Sequence, residues 1–333
     1  MNILESFDFK NKVILVTGGA GFIGSHLIDK LLQLGAKVRC LDNFSTGKFK
    51  NVQDFESNPN FQLIEGDIRN YDICLEATQG CDWVSHQAAL GSVPRSIKDP
   101  LRTHAVNITG FLNIIEASRI AEIKNFVYAA SSSTYGNSQA LPKIESEIGE
   151  PLSPYALTKL VNENYASVYK KTYDFNSIGL RYFNVFGPKQ DINGAYAAVI
   201  PKFVEALLNH KSPTINGDGS FSRDYTFIEN VVQANLLALT ATSECVLNET
   251  YNVACAERTS LIELLNLLKH RLINYDDKVI DLQPNFGPER EGDVPHSLAS
   301  ITKAHNLLAY NPEYSLEKGL DLTVDWYVKN LKS

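Results

Sequence analysis

Two rhythms divide the chain. Up to about residue 182, short apolar runs alternate with stretches of helical spacing. "KVILVTG" (12–18) is apolar, β-branched and stopped by glycine, which predicts a buried strand. "FIGSHLIDKLLQLG" follows, with Ile23, Leu27, Ile28, Leu31 and Leu32 on one helical face and Gly35 as C-cap. "KVRCLD", "FQLIEGD", "CDWVSHQAA", "NFVYAAS" and "NSIGLRYF" predict further strands. "PLRTHAVNITGFLNIIEASRI" predicts a long helix with Pro100 near its start, and "SPYALTKLVNENYASVYKKTY" another with Ser153 as N-cap and Pro154 at N1. The strands are continuously apolar rather than alternating, so both faces of their sheet are covered. Strands alternating with helices make that sheet parallel.

Past residue 183 glycine, proline and asparagine become frequent, as in "NVFGPKQDINGAY" and "TINGDGSFSRDY". Helical spacing persists in "VIPKFVEALLN", "ENVVQANLLALTA", "SLIELLNLLKHRL" and "EKGLDLTVDWYVKN". The expected fold is α/β: a doubly wound parallel sheet over residues 1–182, with a smaller mixed α/β lobe over 183–333. Segments near 226–256 are expected to return to the first lobe. A chain of 333 residues suits two associated lobes.

Charge narrows the partners. The formal net charge is -7, and an acidic surface repels phosphate backbones, which argues against nucleic acid. An anionic ligand must therefore meet a local cluster of arginines. Five scattered cysteines (Cys40, Cys74, Cys81, Cys245, Cys255) show no metal-binding spacing and read as reduced thiols of a cytoplasmic protein, with no metal expected. "MNILESFDFKNK" lacks an apolar signal core, and no run approaches the roughly 20 apolar residues of a membrane span.

The first candidate chemistry is Gly18-x-x-Gly21-x-x-Gly24, between a predicted strand and helix. Glycines there permit a tight turn and close approach of a pyrophosphate, and the helix N-terminus offers unpaired N–H groups. This is the Rossmann-type context; the alternative is a glycine-rich turn without a ligand. Asp42 ends the second strand, where a carboxylate accepts hydrogen bonds from ribose hydroxyls and repels a 2′-phosphate, favouring NAD over NADP. An ordinary strand-end aspartate is the alternative. Asp67 and the segment 86–89 end the third and fourth strands, where a doubly wound sheet meets its ligand.

Tyr155-x-x-x-Lys159 places both side chains on one helical face, one turn apart. A free tyrosine, with pKa near about 10, is a poor base at neutral pH. A neighbouring ammonium, together with a positively charged nicotinamide ring, stabilises tyrosinate and lowers that value. Behind the fifth strand stand Ser131, Ser132 and Ser133, either a polar strand-exit loop or the edge of a site.

Together "TGGAGFIGSHL", "LDNFSTG", "GDIRN", "HQAALGSVPRS", "SSSTYG", "SPYALTK", "RYFNVFGP" and "REGDVPHS" resemble the extended short-chain dehydrogenase/reductase family, and within it the sugar-nucleotide 4-epimerases. "LGSVPRS", "GAYAAVIPKF" and "INGDGSFSRDYTFI" resemble most the members acting on N-acetylated UDP-hexosamines. The resemblance implies Ser131 as partner of the substrate O4, Tyr155 as base and Lys159 in support. It implies an NAD site from Gly18, Gly21, Phe22, Ile23, Gly24, Asp42, Asn43, Ser45, Thr46, Gly47, Asp67, Ile68, Gln87, Ala88, Ala89, Asn107, Tyr155, Lys159, Tyr182 and Val185. It implies a UDP-sugar site from Gly91, Ser92, Ser132, Ser133, Asn184, Gln190, Ala198, Val199, Arg223, Arg290 and Ser297.

Within the family, dehydratases and decarboxylases usually carry an acid directly behind the catalytic hydroxyl residue. Here Ser132 and Ser133 stand there, which favours epimerisation over elimination. Ser297 holds a position that is a bulky tyrosine in members restricted to UDP-glucose and UDP-galactose, and small in members that also accept 2-acetamido sugars. Its alternative is a cap for the helix of "LASITKAHNLL". The expected substrates are UDP-N-acetylglucosamine and UDP-N-acetylgalactosamine, with the plain hexoses or the N-acetylhexosaminuronates open as alternatives. A homodimer through helices near 100–119 and 154–172 is also implied, whereas a non-catalytic NAD-sensing module would not need the Tyr/Lys pair.

Overall fold

The structure is a computed structural model, described here for residues 8–191, 198–289 and 294–331. The predicted apolar runs become β1 (Val13–Thr17), β2 (Lys37–Asp42), β3 (Phe61–Glu65), β4 (Trp83–His86), β5 (Asn125–Ser131) and β6 (Ser177–Tyr182). Four short strands follow: β7 (Val185–Phe186), β8 (Thr214–Asn216), β9 (Ser222–Arg223) and β10 (Thr226–Phe227). Then come β11 (Thr250–Val253), β12 (Thr259–Ser260) and β13 (Asn285–Gly287). Among the described residues the main sheet has seven strands in the order β3-β2-β1-β4-β5-β6-β11. Every neighbouring pair in it is parallel. The order reverses beside β1, so the C-terminal ends of β1 and β4 open a crevice there, the usual ligand position of a doubly wound sheet.

Helices cover both faces. On the chain's first half these are α1 (Phe22–Gln33), α2 (Tyr71–Thr78), α3 (Val93–Lys98), α4 (Pro100–His104), α5 (Gly110–Ile120) and α6 (Pro154–Tyr173). Gly35, at φ +84°, follows the α1 C-cap Leu34 and lets the chain leave in the left-handed region. The expected long helix at 100–119 is present, but a π-helical turn at Ala105–Thr109 lies between α4 and α5. Helix α6 starts as its sequence predicts: the Ser153 hydroxyl accepts the Ala156 N–H, and Pro154 sits in the first turn.

The second half contributes α7 (Val199–Leu208), α8 (Ile228–Leu239), α9 (Leu261–Leu272), α10 (Thr302–Leu308) and α11 (Leu316–Leu331). Helix α9 opens with a full capping box between Ser260 and Glu263. Helix α8 packs against α1 and the sheet; ten of its twelve residues are buried, which explains a sequence apolar on nearly every side. The short strands pair as β7·β10, β8·β13 and β9·β12 rather than forming one second sheet. They carry the residues from Asn184 to Ser297 toward the C-terminal edge of β5 and β6. No helix among the described residues is long and apolar enough to cross a membrane.

Candidate active site

The first cavity lies at the switch in strand order. It is lined by Gly18, Gly21, Phe22, Ile23, Gly24, Asp42, Asn43, Ser45, Thr46, Asp67, Ile68, Gln87, Ala88 and Ala89, all expected, and by Leu41, Gly66, Leu90, Gly91 and Val106. Gly18 has φ +67°, and a Cβ there would stand 2.7 Å from the Ala88 backbone. At Gly24 a Cβ would meet the Gly18 carbonyl at 2.3 Å. These two glycines thus keep β1, its turn and α1 in close contact. Gly21 is the α1 N-cap and offers no capping side chain, which leaves the first-turn N–H groups for an anion.

Asp42 is buried beside this cavity. Its Oδ2 accepts the Ala20 N–H at 2.9 Å and its Oδ1 the Phe44 N–H at 2.8 Å. Burial raises its pKa, and these loop N–H groups act against the rise. Each carboxylate oxygen still has a lone pair for a hydroxyl donor. Gly47 does not line the cavity, but a Cβ there would approach both Asp42 oxygens to 2.9 Å. Asp67 is bound by Arg69 and by the Asn43 amide, which holds its carboxyl down to about 2.

Two expected cofactor residues stand behind the wall instead of in it. Asn107 accepts the Leu90 N–H at 2.8 Å and donates to the Leu90 carbonyl and the Thr158 hydroxyl. The π-helical turn presents it there, so it fastens the loop after β4 to α6. Tyr182 is buried in a network with Gln87 and Asn235. Val185 lines another cavity, described below. Asn235 and Thr17 were missed by sequence reasoning. Thr17 bonds His86 Nδ1 at 2.7 Å and the Ala88 N–H at 3.2 Å. Burial depresses His86 to about 3, leaving a neutral ring packed on Phe111 and Phe126.

The reactive groups meet where β5 ends. Ser131 is buried, at 8% exposure, and caps the short turn Ser132–Tyr135. Its hydroxyl oxygen receives the Ser133 hydroxyl at 2.8 Å and is also bonded to Tyr155. Three polar groups from a strand end, its turn and α6 therefore converge. Lys159, 4% exposed, donates to the Ala129 carbonyl at 2.7 Å. Desolvation lowers its pKa to about 8, opposed by the charge of Glu163. Burial raises the Tyr155 pKa and the Ser131 hydrogen bond opposes it, while Lys159 commits one of its three N–H donors to the Ala129 carbonyl.

Ser132, Ser133, Asn184, Arg223 and Ser297 line a second cavity, together with Val93, Tyr135, Gly136, Lys143, Leu152, Ser153, Ala156, Phe183 and Val294. Asn184 and Arg223 also belong to a third, with Val185, Gln190, Ala198, Val199, Phe203, Ile215, Phe221 and Tyr225. Two residues thus form a shared partition. Gln190 Oε1 and the Tyr225 hydroxyl, both in residues lining the third cavity, are buried without a hydrogen-bond partner. Such atoms are costly unless a ligand satisfies them. Arg223 donates to the Ser222 and Pro295 carbonyls and forms no ion pair among the described residues. Gly91 and Ser92 line a passage beside the glycine loop rather than the second cavity, and Ser92 caps α3. Ser297 caps no helix: its N–H bonds the Ser222 carbonyl, and the N-cap of α10 is Ile301. Arg290 lies outside the described residues.

A doubly wound sheet with a glycine cradle, a buried strand-end carboxylate and a hydroxyl–tyrosine–lysine cluster fits a dinucleotide-dependent enzyme. A model of the NAD dependent epimerase/dehydratase family matches residues 14–254, and the chain belongs to that family. Its cofactor is NAD, which the first cavity fits through its uncapped helix N-terminus and the free lone pairs of Asp42. Over 320 residues the chain is 37% identical to a putative UDP-glucose 4-epimerase of Methanocaldococcus jannaschii, covering 96% of this chain and 99% of the relative. The structure of a UDP-N-acetylglucosamine 4-epimerase from Methanobrevibacter ruminantium M1, in complex with UDP-N-acetylmuramic acid, superposes with a TM-score of 0.90. It is 37% identical, with 96% and 99% of the two chains covered. A UDP-glucuronic acid 4-epimerase from Bacillus cereus, in complex with UDP-glucuronic acid and NAD, gives a TM-score of 0.86 at 33% identity, over 96% and 99%.

Proposed function

We propose that the protein interconverts UDP-N-acetylglucosamine and UDP-N-acetylgalactosamine at C4. The observation that carries this reading is Ser297 on the wall of the cavity that holds Ser132 and Ser133. A serine there leaves room for a 2-acetamido group and has a hydroxyl to offer it. The three similar proteins named above bear the names of UDP-sugar 4-epimerases, which supports the reaction type.

Bound NAD supplies the acceptor, and then the donor, of the C4 hydride. The chain's own groups manage the proton and the position of the sugar. Tyr155 takes the O4 proton as the C4 hydride leaves, giving a 4-keto sugar. Ser131 orients O4, and Ser133 orients Ser131. Lys159 adds positive charge near the developing tyrosinate and the cofactor ribose. Asn184, Gln190 and Arg223 hold the diphosphate and uridine, with Ala198 and Val199 at the uracil; Arg290 completes the set. Binding concentrated on UDP leaves the hexose free to turn over, and the hydride returns to its other face. No acid stands at Ser132 or Ser133 to drive an elimination, which supports epimerisation.

The purified protein, assayed by NMR without added NAD, is expected to form the 4-epimer of N-acetylated substrates. Ser297→Tyr should cut kcat/KM for them by about tenfold or more while sparing UDP-glucose, from the bulk placed where the acetamide sits. Equal loss on both kinds of substrate overturns the pocket assignment.

The assembly proposed is a homodimer. Ile97 on α3, Leu101 on α4, and Leu157 and Val168 on α6 are exposed, Leu101 at 83%. Helices α3 and α4 both pack against α6, so these side chains belong to one helical layer. Apolar residues gathered in this way mark an association surface. Light scattering should give about twice the 37.0 kDa chain mass; a monomer overturns this part.

A further inference from the structure

One cation in the second cavity has no role in the chemistry above. Lys143 lines it together with Ser132, Ser133 and Ser297, yet is only 3% exposed. Its backbone is fixed on both sides: its N–H bonds the Leu298 carbonyl, and its carbonyl accepts the Ser300 N–H. The Lys143–Ala299 bridge thus carries the lysine on the same segment as Ser297. Its ammonium donates to the Ser138 carbonyl. No carboxylate pairs with it among the described residues.

A buried ammonium needs compensation, because leaving water costs far more than one neutral acceptor returns. Of the other buried cations, Arg181 is bound by Glu163 at 2.8 and 2.9 Å, whereas Lys159 and Lys269 each donate to one backbone carbonyl and, unlike Lys143, line none of the three cavities described above. Lys143 has three donors, and Ser138 takes one. Desolvation accordingly lowers its pKa, with no opposing charge from the protein. The hexose is the group that shares this cavity, so the counter-charge is available from the substrate.

We infer that Lys143 is a specificity-determining residue that selects UDP-hexoses bearing a carboxylate on the sugar. The inference rests on the 4-epimerase reading and extends its substrates, from the neutral pair proposed above to sugars that also carry a carboxylate. A carboxylate at C6 (a uronate) and a lactyl ether at C3 (a muramate) share this chemistry. The acetamide remains at Ser297, and Lys143 reads the charge. In a protein of net charge -7, a local cation inside the cavity offsets a field that would otherwise disfavour an extra negative charge.

The test uses the full chain with its bound cofactor. Calorimetry measures the Kd of UDP-N-acetylglucosamine, its C6-uronate and UDP-N-acetylmuramate, for the wild type, Lys143→Met and Lys143→Arg. The wild type should bind one acidic sugar at least tenfold more tightly than the neutral one, and which acid it prefers distinguishes C6 from C3. Lys143→Met should lose that ratio, and Lys143→Arg should restore most of it. A wild type that binds neutral and acidic sugars alike overturns the inference. So does a Lys143→Met variant that weakens all three equally, the mark of a merely structural lysine. Binding reads Lys143 independently of turnover. Failure of every nucleotide to give a 4-epimer removes the epimerase reading instead, and the Kd ratio still decides the lysine.

Discussion

The cofactor side and the substrate side of the molecule treat their polar groups in opposite ways. Around the first cavity nearly every polar side chain already has a protein partner. Asp42 holds two loop N–H groups, Asn107 binds Leu90 and Thr158, and Tyr182, Gln87 and Asn235 bond one another. Around the other two cavities, Gln190 Oε1 and the Tyr225 hydroxyl are buried without partners, and Lys143 and Arg223 lack counter-ions among the described residues. A cofactor that stays in place can be met by a rigid, self-satisfied wall. A substrate that must turn over is better met by groups left free to bind its fixed end and to tolerate two orientations of the rest. The unpaired groups store no function by themselves; they mark where a ligand supplies what the fold withholds.

The sharpest way to separate the two sides is to remove the proposed base. Tyr155→Phe takes away one hydroxyl, and with it the Ser131 bond, while leaving both sets of cavity walls intact. Epimer formation followed by NMR should fall by about a thousandfold or more, in line with the loss of a general acid–base group. NAD content and UDP affinity should remain. Full activity in this variant sinks the assignment of the base; loss of bound NAD along with activity shows instead that the two sides are not separable at this residue.

The two sides also differed in how legible they were. The seven-stranded sheet announced itself because most of its strands are short apolar runs that stop at glycines or small polar residues, and six of them were foreseen, the edge strand β3 being half-exposed. The eighth to tenth strands in chain order are two or three residues long, too short for any periodicity, so their segment read only as irregular. The glycine cradle and Asp42 were readable because local spacing dictates their geometry. Asn107 was named only through the resemblance; its bonds to Leu90 and Thr158 depend on a π-helical turn that ordinary helical spacing does not signal. Lys143 and Tyr225 were passed over for a related reason. Nothing local distinguishes a buried lysine from a surface one; only the pairing of residues 143 and 299 across the chain puts it inside. The Ala129 carbonyl as a partner of Lys159 was likewise not legible, because a shared helical face says nothing of which strand atom the lysine reaches.

A smaller effect tests how the substrate side is held together. Asp224 is fully buried and accepts the Cys255 N–H at 3.0 Å on one oxygen and the Ala299 N–H at 3.1 Å on the other. Its own carbonyl accepts the Asn184 amide, and Arg223 precedes it. The residue therefore joins three distant segments to the one that carries Arg223: its carboxylate holds those of Cys255 and Ala299, and its backbone carbonyl that of Asn184. Burial pushes this carboxyl up to about 7, against the donors that stabilise its charge. Between about pH 4 and 7 the folded protein retains a proton that an unfolded chain, near its ordinary value of about 3.9, has released. By linkage, the folded state binds the extra proton, so this group's contribution is fully present below about pH 4 and is lost as pH rises through 7. Asp224→Asn carries no charge at any pH, but its NH2 must face an N–H and one hydrogen bond is lost. The variant should melt a few degrees below the wild type at pH 5, and the gap should narrow toward pH 8, because only the wild type bears the growing cost of a buried charge. Melting curves that run parallel from pH 5 to pH 8 would show that Asp224 is ionised throughout, with the three segments then held by a permanent buried charge rather than by a shared proton.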